Sequence, residues 1–380
     1  MDICILGNLE NRRVSLFKQA AEQLGATVEC YGWLEILNRF LDGQDRGQAW
    51  LTDNLSKFDL VRIESLGENQ AVEAALLNLV GVIPQDLQIG EIRYLREYHA
   101  GFCKLMGSLS KTTARFQNSP ESICAMFDKW ESVQRFSDAG LSRVKTMLAP
   151  KDLDSFFQFR HEFAYGQSAR QGRIFLKPQY SSSASGVCAY RWRGDQEQLI
   201  APIEIARTGG QTRLFNSLKV RSYTNIKDIT AILANLLPQQ MIAEKWIPKL
   251  SLNSRRCDLR IVVINGQPRH CVVRKSSSPM TNLHLGNQRG TLEELTAQIG
   301  SEKLAQCYDL AAEAFQCYTD VTYAGVDIML DSRRRPLVGE INAFGDLLPG
   351  VLHHEQSTYE AIAEAATMKV AALRSGKADV

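Results

Sequence analysis

The stretch FLKPQYSSSASGVCAY, residues 175–190, places a lysine and a proline at the end of an apolar run. Small or hydroxylated residues fill 181–186, and a second apolar run begins at Val187. Short side chains let a ligand approach backbone N–H groups closely, and Lys177 adds a compact positive charge beside them. The stretch therefore predicts a strand, a phosphate-binding loop and a second strand. Taken alone, a flexible surface loop explains the small residues equally well.

A second passage with chemical character is AGVDIMLDSRRRPLVGEINAFGDLLPG, residues 324–350. Asp327 lies in one apolar strand, Glu340 and Asn342 lie at the end of the next, and the polar turn between them lets the strands pair antiparallel. Two carboxylates and one amide oxygen on a single sheet face suit Mg²⁺, which takes oxygen ligands and leaves positions for substrate phosphates. Solvated strand ends are the alternative. The apolar flanks argue against it, because a charge in such surroundings needs a partner.

The beginning of the chain alternates strands and helices. Hydrophobic periodicity predicts strands at 2–7, 27–33 and 58–65 and helices at 11–25 and 68–80. Such alternation favours a small parallel sheet. A dinucleotide site is not predicted, because no G-x-G-x-x-G opens the first helix.

Polar residues cluster where the third of these strands ends, in VRIESLGEN. Open α/β sheets bind ligands at such strand ends. A strand-to-helix cap explains the same residues as well, and the sequence leaves the two interpretations open. The residues concerned are Arg62, Glu64, Glu68 and Asn69.

The pattern changes after residue 117. Ser119 and Pro120 predict the start of a helix that runs to Gly140. Strands and helices then mix, Asn265-Gly266 predicts a tight hairpin turn, and a closing helix follows at 360–374. These changes divide the chain into predicted units at 1–117, 118–239 and 240–380.

Composition bounds the classes of function. The 380 residues carry 44 Lys and Arg against 42 Asp and Glu, a net charge of +2. This balance gives no reason to expect nucleic acid or a membrane surface as partner. No apolar run reaches the roughly 20 residues of a transmembrane helix, and the N-terminus does not have the pattern of a signal peptide. The nine cysteines contain no Cys-x-x-Cys pair and are predicted to be reduced, so we expect a cytoplasmic protein.

Taken in chain order, these passages resemble the ATP-grasp superfamily. The resemblance begins at Phe127-Asp128-Lys129 and continues to about residue 350. EKWI, residues 244–247, resembles the hinge of D-alanine–D-alanine ligases. Asp258-Leu259-Arg260, with Arg274 and MTNLHLG at 280–286, resembles the ribosomal-protein glutamate ligase and glutathione synthetase-like branch. The remaining segments indicate a little-characterised bacterial subgroup of it.

The resemblance implies an α/β chain of the α+β grasp type, in which an N-terminal parallel-sheet domain precedes a two-lobed ATP-grasp domain. It also implies ATP and one or two Mg²⁺ ions as cofactors. The implied nucleotide-binding residues are Lys129, Lys177, Ser181, Ser182, Ser183, Ser185, Gly186, Glu244, Lys245, Trp246, Ile247 and, for the ribose, Asp258. The implied metal ligands are Asp327, Glu340 and Asn342, and the implied catalytic residues are Arg260, Arg274 and Asn282.

The implied function is that of an ATP-dependent, ADP-forming ligase that joins a carboxylate to an amine through an acyl phosphate. Its partners would be small-molecule or peptide substrates, and a homodimer is possible. A kinase acting on a hydroxyl and a regulatory ATP-binding protein are the alternatives. The family's usual Asn-x-x-Pro-Gly is altered here to NAFGD, residues 342–346, and this change bears on the acceptor site.

Overall fold

The structure is a computed structural model that describes residues 1–163, 171–344 and 348–375. Its first unit alternates strands and helices as predicted. The elements are β1 (Asp2–Gly7), α1 (Arg12–Gln23), β2 (Thr27–Gly32), α2 (Trp33–Leu41), α3 (Gln44–Leu55), β3 (Leu60–Ile63), α4 (Gln70–Leu79) and α5 (Leu95–Leu109). The strands form a parallel sheet in the order β2–β1–β3. Leu6, Trp33 and Val61 are among the residues that fill its core.

The second unit contains a pair of short helices and a larger sheet. The elements are α6 (Pro120–Phe127), α7 (Lys129–Asp138), β4 (Thr146–Leu148), α8 (Leu153–Phe163), β5 (Gln171–Pro178), β6 (Cys188–Arg193), β7 (Gln196–Thr208), β8 (Gln211–Tyr223), α9 (Ile226–Leu236) and β9 (Met241–Lys245). The strands form the lid sheet, in the order β4–β9–β5–β6–β7–β8. Helices α8 and α9 cover one face of this sheet, and its other face borders a cleft.

Two predictions for this unit were wrong or incomplete. The single helix expected from Pro120 to Gly140 is broken at Asp128, whose backbone is extended and whose carboxylate accepts bonds from the N–H groups of Trp130 and Glu131. This cap starts a new helix at Lys129. The long hairpin of β7 and β8 was not predicted at all, because polar residues interrupt the apolar pattern of both strands.

The third unit supplies a second sheet. Its elements are β10 (Ser251–Leu252), β11 (Arg255–Ile264), β12 (Gln267–Ser276), β13 (Gln288–Gly290), α10 (Leu292–Ile299), α11 (Ser301–Gln316), β14 (Tyr323–Leu330), β15 (Pro336–Asn342), β16 (Leu352–His353), β17 (Gln356–Ser357) and α12 (Thr358–Arg374). The C-terminal sheet has the order β13–β12–β11–β14–β15. The predicted turn between β11 and β12 is present, with positive φ at Asn265 and Gly266.

The units share their interiors. One apolar cluster contains Trp33 of the first unit, Met126 of α6 and Val326 of β14. The boundaries at 117 and 239 stay predictions, and β9 follows the second boundary although it pairs with strands of the lid sheet. None of the helices in the described ranges has the length and apolar character that a bilayer-spanning segment requires. The nine cysteines, all within those ranges, are free thiols.

Candidate active site

The predicted metal ligands lie on two paired strands. Asp327 of β14 is in register with Glu340 of β15, and Gly325 with Asn342. The two carboxylates are therefore neighbours on one sheet, as the sequence indicated. The register shifts after Asp327, and Gly339 sits in the irregular step, where a Cβ would lie 3.3 Å from the carbonyl oxygen of Asp327. Side chains at this step would crowd the strand that carries the aspartate.

Two lysines approach these carboxylates from different elements. Lys129, the first residue of α7, donates to the carbonyl of Ser181, and its Nζ lies 3.5 Å from Oε1 of Glu340. Lys177, at the end of β5, lies with its Nζ 2.8 Å from Oε2 of Glu244. Burial works against the charge of Lys177, but the carboxylates of Glu244 and Glu340 outweigh it and raise the pKa of the lysine. Lysines of α7 and of the lid sheet thus act on the carboxylate of Glu340, which belongs to the C-terminal sheet.

Two buried arginines form ion pairs with the carboxylate of Asp327. Arg260 of β11 forms a two-pronged ion pair with it, in which Nη2 lies 3.2 Å from Oδ2. Arg274 of β12 lies with its Nη2 3.1 Å from the same oxygen. Burial works against the charge of Asp327, but the two arginines outweigh it and hold the pKa of the carboxyl below its usual value. Asp327 therefore keeps its negative charge inside the protein.

Asp258 has protein partners for both of its oxygens. Its Oδ1 accepts from Nε of Arg274 at 2.8 Å, and its Oδ2 accepts from Nζ of Lys249 at 2.8 Å and from the hydroxyl of Thr281. Burial opposes its charge, yet the two cations outweigh it and lower the pKa of Asp258. This geometry does not favour the ribose contact expected of Asp258, because the carboxylate already anchors Arg274. Lys249 and Thr281 were not singled out from the sequence.

The lid loop, residues 181–186, begins beside Lys129. Its backbone takes positive φ at Ser183, Ala184 and Gly186, and the N–H of Ser185 donates to the carbonyl of Ser182. A Cβ at Gly186 would lie 2.7 Å from Cγ of Pro178, so this position requires glycine.

The hinge residues 244–247 end β9 and leave the lid sheet. Trp246 meets the ring of Phe175 edge-on, with centroids 5.3 Å apart, so it packs against β5 at the hinge. The space beside Glu244 is a cavity of about 10 Å³ that Val144, Met329 and Val338 line with others. A cavity of this size holds no more than one water molecule. This cavity is therefore too small for an adenine ring.

The oxygen donors of the strand pair suit a hard cation. Glu340 offers charged oxygens and Asn342 a neutral one. Both oxygens of Asp327 are paired with Arg260 or Arg274, so this carboxylate becomes a metal ligand only when an arginine gives it up. The Nδ2 of Asn342 is buried with no hydrogen-bond partner among the described residues, which leaves the orientation of that amide open to a ligand. Within the described ranges, no group of three or more His, Cys, Asp or Glu side chains is placed to hold a metal. A cation at this site therefore depends on the amide or on a bound phosphate.

The remaining predicted residues are Asn282, the altered motif at 342–346 and the polar residues at the strand end of the first unit. Asn282 precedes a short 3₁₀ helix, Leu283–Leu285, and its carbonyl accepts from Nδ2 of Asn287 at 2.9 Å. Its catalytic role stays a prediction. The altered motif at 342–346 lies partly outside the described residues, which stop at Phe344 before this gap.

At the strand end of the first unit, Arg62 is fully buried and paired with Glu64, and Asn69 caps α4 through the N–H of Val72.

Comparison with protein-family models identifies the family of the chain. The model of the YheC/D-like ATP-grasp family matches residues 124–361. The chain therefore belongs to the YheC/D-like ATP-grasp family. This membership confirms the predicted superfamily, the α+β fold and the enzyme class, an ATP-dependent ligase of the ATP-grasp type. The assignment to the glutamate-ligase branch stays a prediction.

Solved structures share the fold at low sequence identity. D-alanine–D-alanine ligase from Bacillus anthracis complexed with ATP aligns with a TM-score of 0.56 and 12% identity, over 99% of each chain. The ATP-grasp ligase PsnB complexed with a minimal precursor aligns at 0.52 and 12%, over 96% of this chain and 98% of its own. The macrocyclase MdnC from Microcystis aeruginosa, bound with its precursor peptide MdnA, aligns at 0.51 and 16%, over 97% and 100%. No curated protein matches the sequence.

Proposed function

We propose that the protein is an ATP-dependent carboxylate–amine ligase that forms an amide bond through an acyl phosphate. One observation carries the proposal: Nζ of Lys129 lies 3.5 Å from Oε1 of Glu340, and the carboxylates of Glu340 and Asp327 are near enough to Lys177 to help raise its pKa. We call these four residues the cleft cluster. Two lysines suit the phosphates of a nucleotide, and the carboxylates suit the cation that accompanies it. The ligases named above share this fold, which supports the same class of reaction here.

The first step is phosphoryl transfer to the substrate carboxylate. A carboxylate oxygen attacks the γ-phosphorus of ATP, the bond from that phosphorus to the bridging oxygen breaks, and ADP leaves with the electron pair. Lys129 and Lys177 offset the phosphate charge. The lid loop, with Ser181, Ser182, Ser183, Ser185 and Gly186, closes over the phosphates and keeps water from the acyl phosphate. Lys245, Trp246 and Ile247 hold the adenine at the hinge, and Glu244 borders it.

The second step is attack of the amine on the acyl carbon. A tetrahedral oxyanion forms, phosphate leaves with the electron pair of its C–O bond, and the departing phosphate takes the proton that the amine loses. Arg260 and Arg274 lie beside Asp327 with planar forks that suit a carboxylate or this oxyanion. Asp258 fixes the orientation of Arg274 rather than binding ribose, and Asn282 positions the substrate.

Asp327, Glu340 and Asn342 are the residues that would hold Mg²⁺. When bound there, the ion neutralises charge on the transferring phosphoryl group. The arginines that now occupy Asp327 keep its carboxylate ionised without the ion. The ATP-grasp ligase PsnB has been solved in complex with a minimal precursor, Mg and ADP, which supports ATP and Mg²⁺ as cofactors here.

An ADP-release screen with hydroxylamine as trap tests the proposal. The purified protein is incubated with ATP and Mg²⁺ against pools of amino acids, peptides and carboxylic acids. We expect one pool to raise ADP release and to yield a hydroxamate, because hydroxylamine captures an acyl phosphate. ADP release with a stable phosphorylated alcohol and no hydroxamate would instead identify a kinase. ADP release that is equal with and without every pool would contradict the ligase.

A further inference from the structure

A large groove opens beside the hinge, and none of the four residues of the cleft cluster lines it. Its volume is about 740 Å³, and it lies between strands β6–β8 of the lid sheet and the 277–287 segment that follows β12. Trp246 lines it at the hinge, and Arg256 lines it from β11, two residues before Asp258. We call this space the basic groove. Its volume is that of a ligand site rather than a packing defect.

The charge of the groove departs from that of the whole chain. Its lining, drawn from residues the structure describes, contains no aspartate or glutamate. It contains the basic side chains of Arg191, Lys219, Arg221, Arg255 and Arg256. The chain as a whole is almost neutral, with 44 basic against 42 acidic residues. A concentration of one sign in a concave surface focuses its field on the space inside.

Most of these charges are not neutralised by the protein. Arg221 pairs with Glu204, with Nη2 2.9 Å from Oε2. The described residues place no carboxylate within ion-pair distance of the other four. Two of these four have neutral partners: Arg191 donates to the amide oxygen of Gln198, and Arg256 donates to the carbonyl of Ser277. In the cleft cluster, by contrast, each lysine has a glutamate. The groove therefore offers its positive charge to a ligand.

The groove also has an apolar side and open backbone. Ile200, Leu218 and Val220 line it, and Leu218 is 73% exposed. The pairing of β8 with β7 jumps from Asn216 to Arg221, so residues 217–220 lie outside the ladder, on a strand at the edge of its sheet. Such a segment leaves N–H and C=O groups for an added chain, although the N–H of Lys219 already donates to the hydroxyl of Ser217.

We propose that the basic groove binds an acidic peptide segment in extended form. Carboxylate side chains would meet the arginines, apolar side chains would meet Leu218 and its neighbours, and the peptide backbone would meet residues 217–220. A nucleic acid fits less well, because the aromatic side chain in the lining, Trp246, is already engaged edge-on by Phe175. That such a segment belongs to the substrate rests on the proposed ligase function, whereas the binding itself does not.

Peptide binding without nucleotide tests the groove directly. The probe is a short fluorescein-labelled peptide of glutamate, leucine and serine, measured by fluorescence anisotropy beside the same peptide with glutamine in place of glutamate. We expect the glutamate peptide to bind and the glutamine peptide not to. The double variant Arg255→Gln/Arg256→Gln should weaken binding about tenfold, because it removes two partly exposed ion pairs.

A matched pair of arginines supplies the control. Arg333 and Arg334 lie exposed in the turn between β14 and β15, outside the groove. Arg333→Gln/Arg334→Gln lowers the net charge by the same amount and should leave peptide binding unchanged. If both double variants lost peptide binding equally, the loss would be an effect of net charge and not of the groove, and the proposal would be overturned. Unchanged binding in the groove variant would overturn it as well. If the groove variant loses the peptide, retained ADP binding shows that it is still folded.

Two further arms separate rival occupants. Complete displacement of the peptide by Mg·ADP would make the groove part of the nucleotide site, and tighter groove-dependent binding of a single-stranded RNA would assign it to nucleic acid; either result overturns the proposal. Groove-dependent peptide binding with no ADP release from any substrate pool would keep the docking site and count against the ligase. ADP release from acidic peptides that is unaffected by Arg255→Gln/Arg256→Gln would keep the ligase and overturn the docking site.

Discussion

Buried arginines occur in two regions of the molecule, and their surroundings differ. In the first unit, Arg62 is fully buried, pairs with Glu64 and Gln117, and lies over the rings of Phe17 and Tyr323 at 4.0 and 4.7 Å. In the cleft, Arg260 is buried almost as completely. Burial and an ion pair therefore do not by themselves distinguish a structural arginine from a functional one.

The difference lies in what surrounds each pair. The partners of Arg62 are enclosed by the parallel sheet and by α12, whose Ile362 carbonyl accepts from Gln117. In the cleft, Asp327 is shared between two arginines, and the neighbouring Glu340 is 28% exposed and faces Lys129 of another element. A charge network that spans several elements and reaches an open surface can change partners when a ligand binds, whereas an enclosed pair cannot.

Glu340→Gln should have the largest effect on activity. The amide keeps the size of the side chain but removes the charge proposed to hold the cation, so ADP release should fall on the order of a thousandfold. Stability should change by less than about 1 kcal/mol, because the lost ion pair with Lys129 is long and partly exposed. Coupled ADP assays and thermal unfolding measure the two effects.

The control for that variant is Glu131→Gln, which removes one ion pair with Arg135 at 2.8 Å on the surface of α7. It should keep full activity. If Glu340→Gln also kept its activity, the cleft would be no different in kind from the enclosed pair around Arg62, and the assignment of the metal ligands would be wrong.

Arg62→Met should lower stability strongly and activity little, the reverse of Glu340→Gln. It leaves Glu64 buried without its cation, which costs about 3 kcal/mol or more of unfolding free energy. Activity per folded molecule should stay near that of the wild type, because Arg62 touches no residue of the cleft cluster. Denaturant unfolding and active-site titration check this. Replacing both partners, in Arg62→Met/Glu64→Leu, should recover much of the stability; a loss of activity beyond the unfolded fraction would make the first unit part of the site.

The pH dependence of stability should report the arginine that bridges the cleft carboxylates. Arg274 contacts both Asp258 and Asp327 and, against the effect of burial, helps to lower the pKa of each. Stability from a lowered carboxyl pKa is fully present above the unfolded value of about 3.9 and is lost as the pH falls through the folded value. The wild type should therefore exceed Arg274→Met most at neutral pH. That excess should shrink by on the order of 2 kcal/mol on acidification below pH 4.

Urea unfolding of both proteins between pH 7 and pH 3 measures this difference. Lys275→Met, one residue further along β12 and paired with Glu294 at 3.0 Å, is the control. Lys275 also lowers the pKa of Glu294. The difference between Lys275→Met and the wild type should nevertheless be small throughout, because the side chain of Glu294 is 39% exposed and water screens the pair. A gap between wild type and Arg274→Met that is constant with pH would mean that Arg274 packs in the cleft without governing its carboxylates.

The strands of the cleft were predictable because their patterns are local. The stretches around Lys177, Asp327 and Glu340 are short apolar runs that contain a charged residue, and the turns between them carry recognisable residues. The hairpin of β7 and β8 was not found, although the Gly209-Gly210 pair at its turn was a usable signal. Both faces of its outer part meet water, so no apolar alternation marks it.

The partners of the site residues were less predictable than the residues themselves. Lys249 and Thr281 reach Asp258 from segments 9 and 23 residues away, and only the folded register brings them together. The basic groove has the same origin, because its arginines come from β6, β8 and β11. In the sequence, each of these side chains has the appearance of an isolated surface charge.

Asn69→Ala should give the smallest effect and decide between the two interpretations of the VRIESLGEN segment. Asn69 accepts from the N–H of Val72 at 3.1 Å and so caps α4, and its Nδ2 donates to Glu10 at 2.8 Å. Loss of a cap costs about 1 kcal/mol, and Asn69→Ser should restore most of it because serine also caps. If the residue serves only the helix, the KM for each substrate stays constant in both variants. A KM that rises in Asn69→Ala and stays raised in Asn69→Ser, where the cap is intact, would instead place this strand end in the substrate site, and the enclosed first unit would share in the chemistry of the cleft.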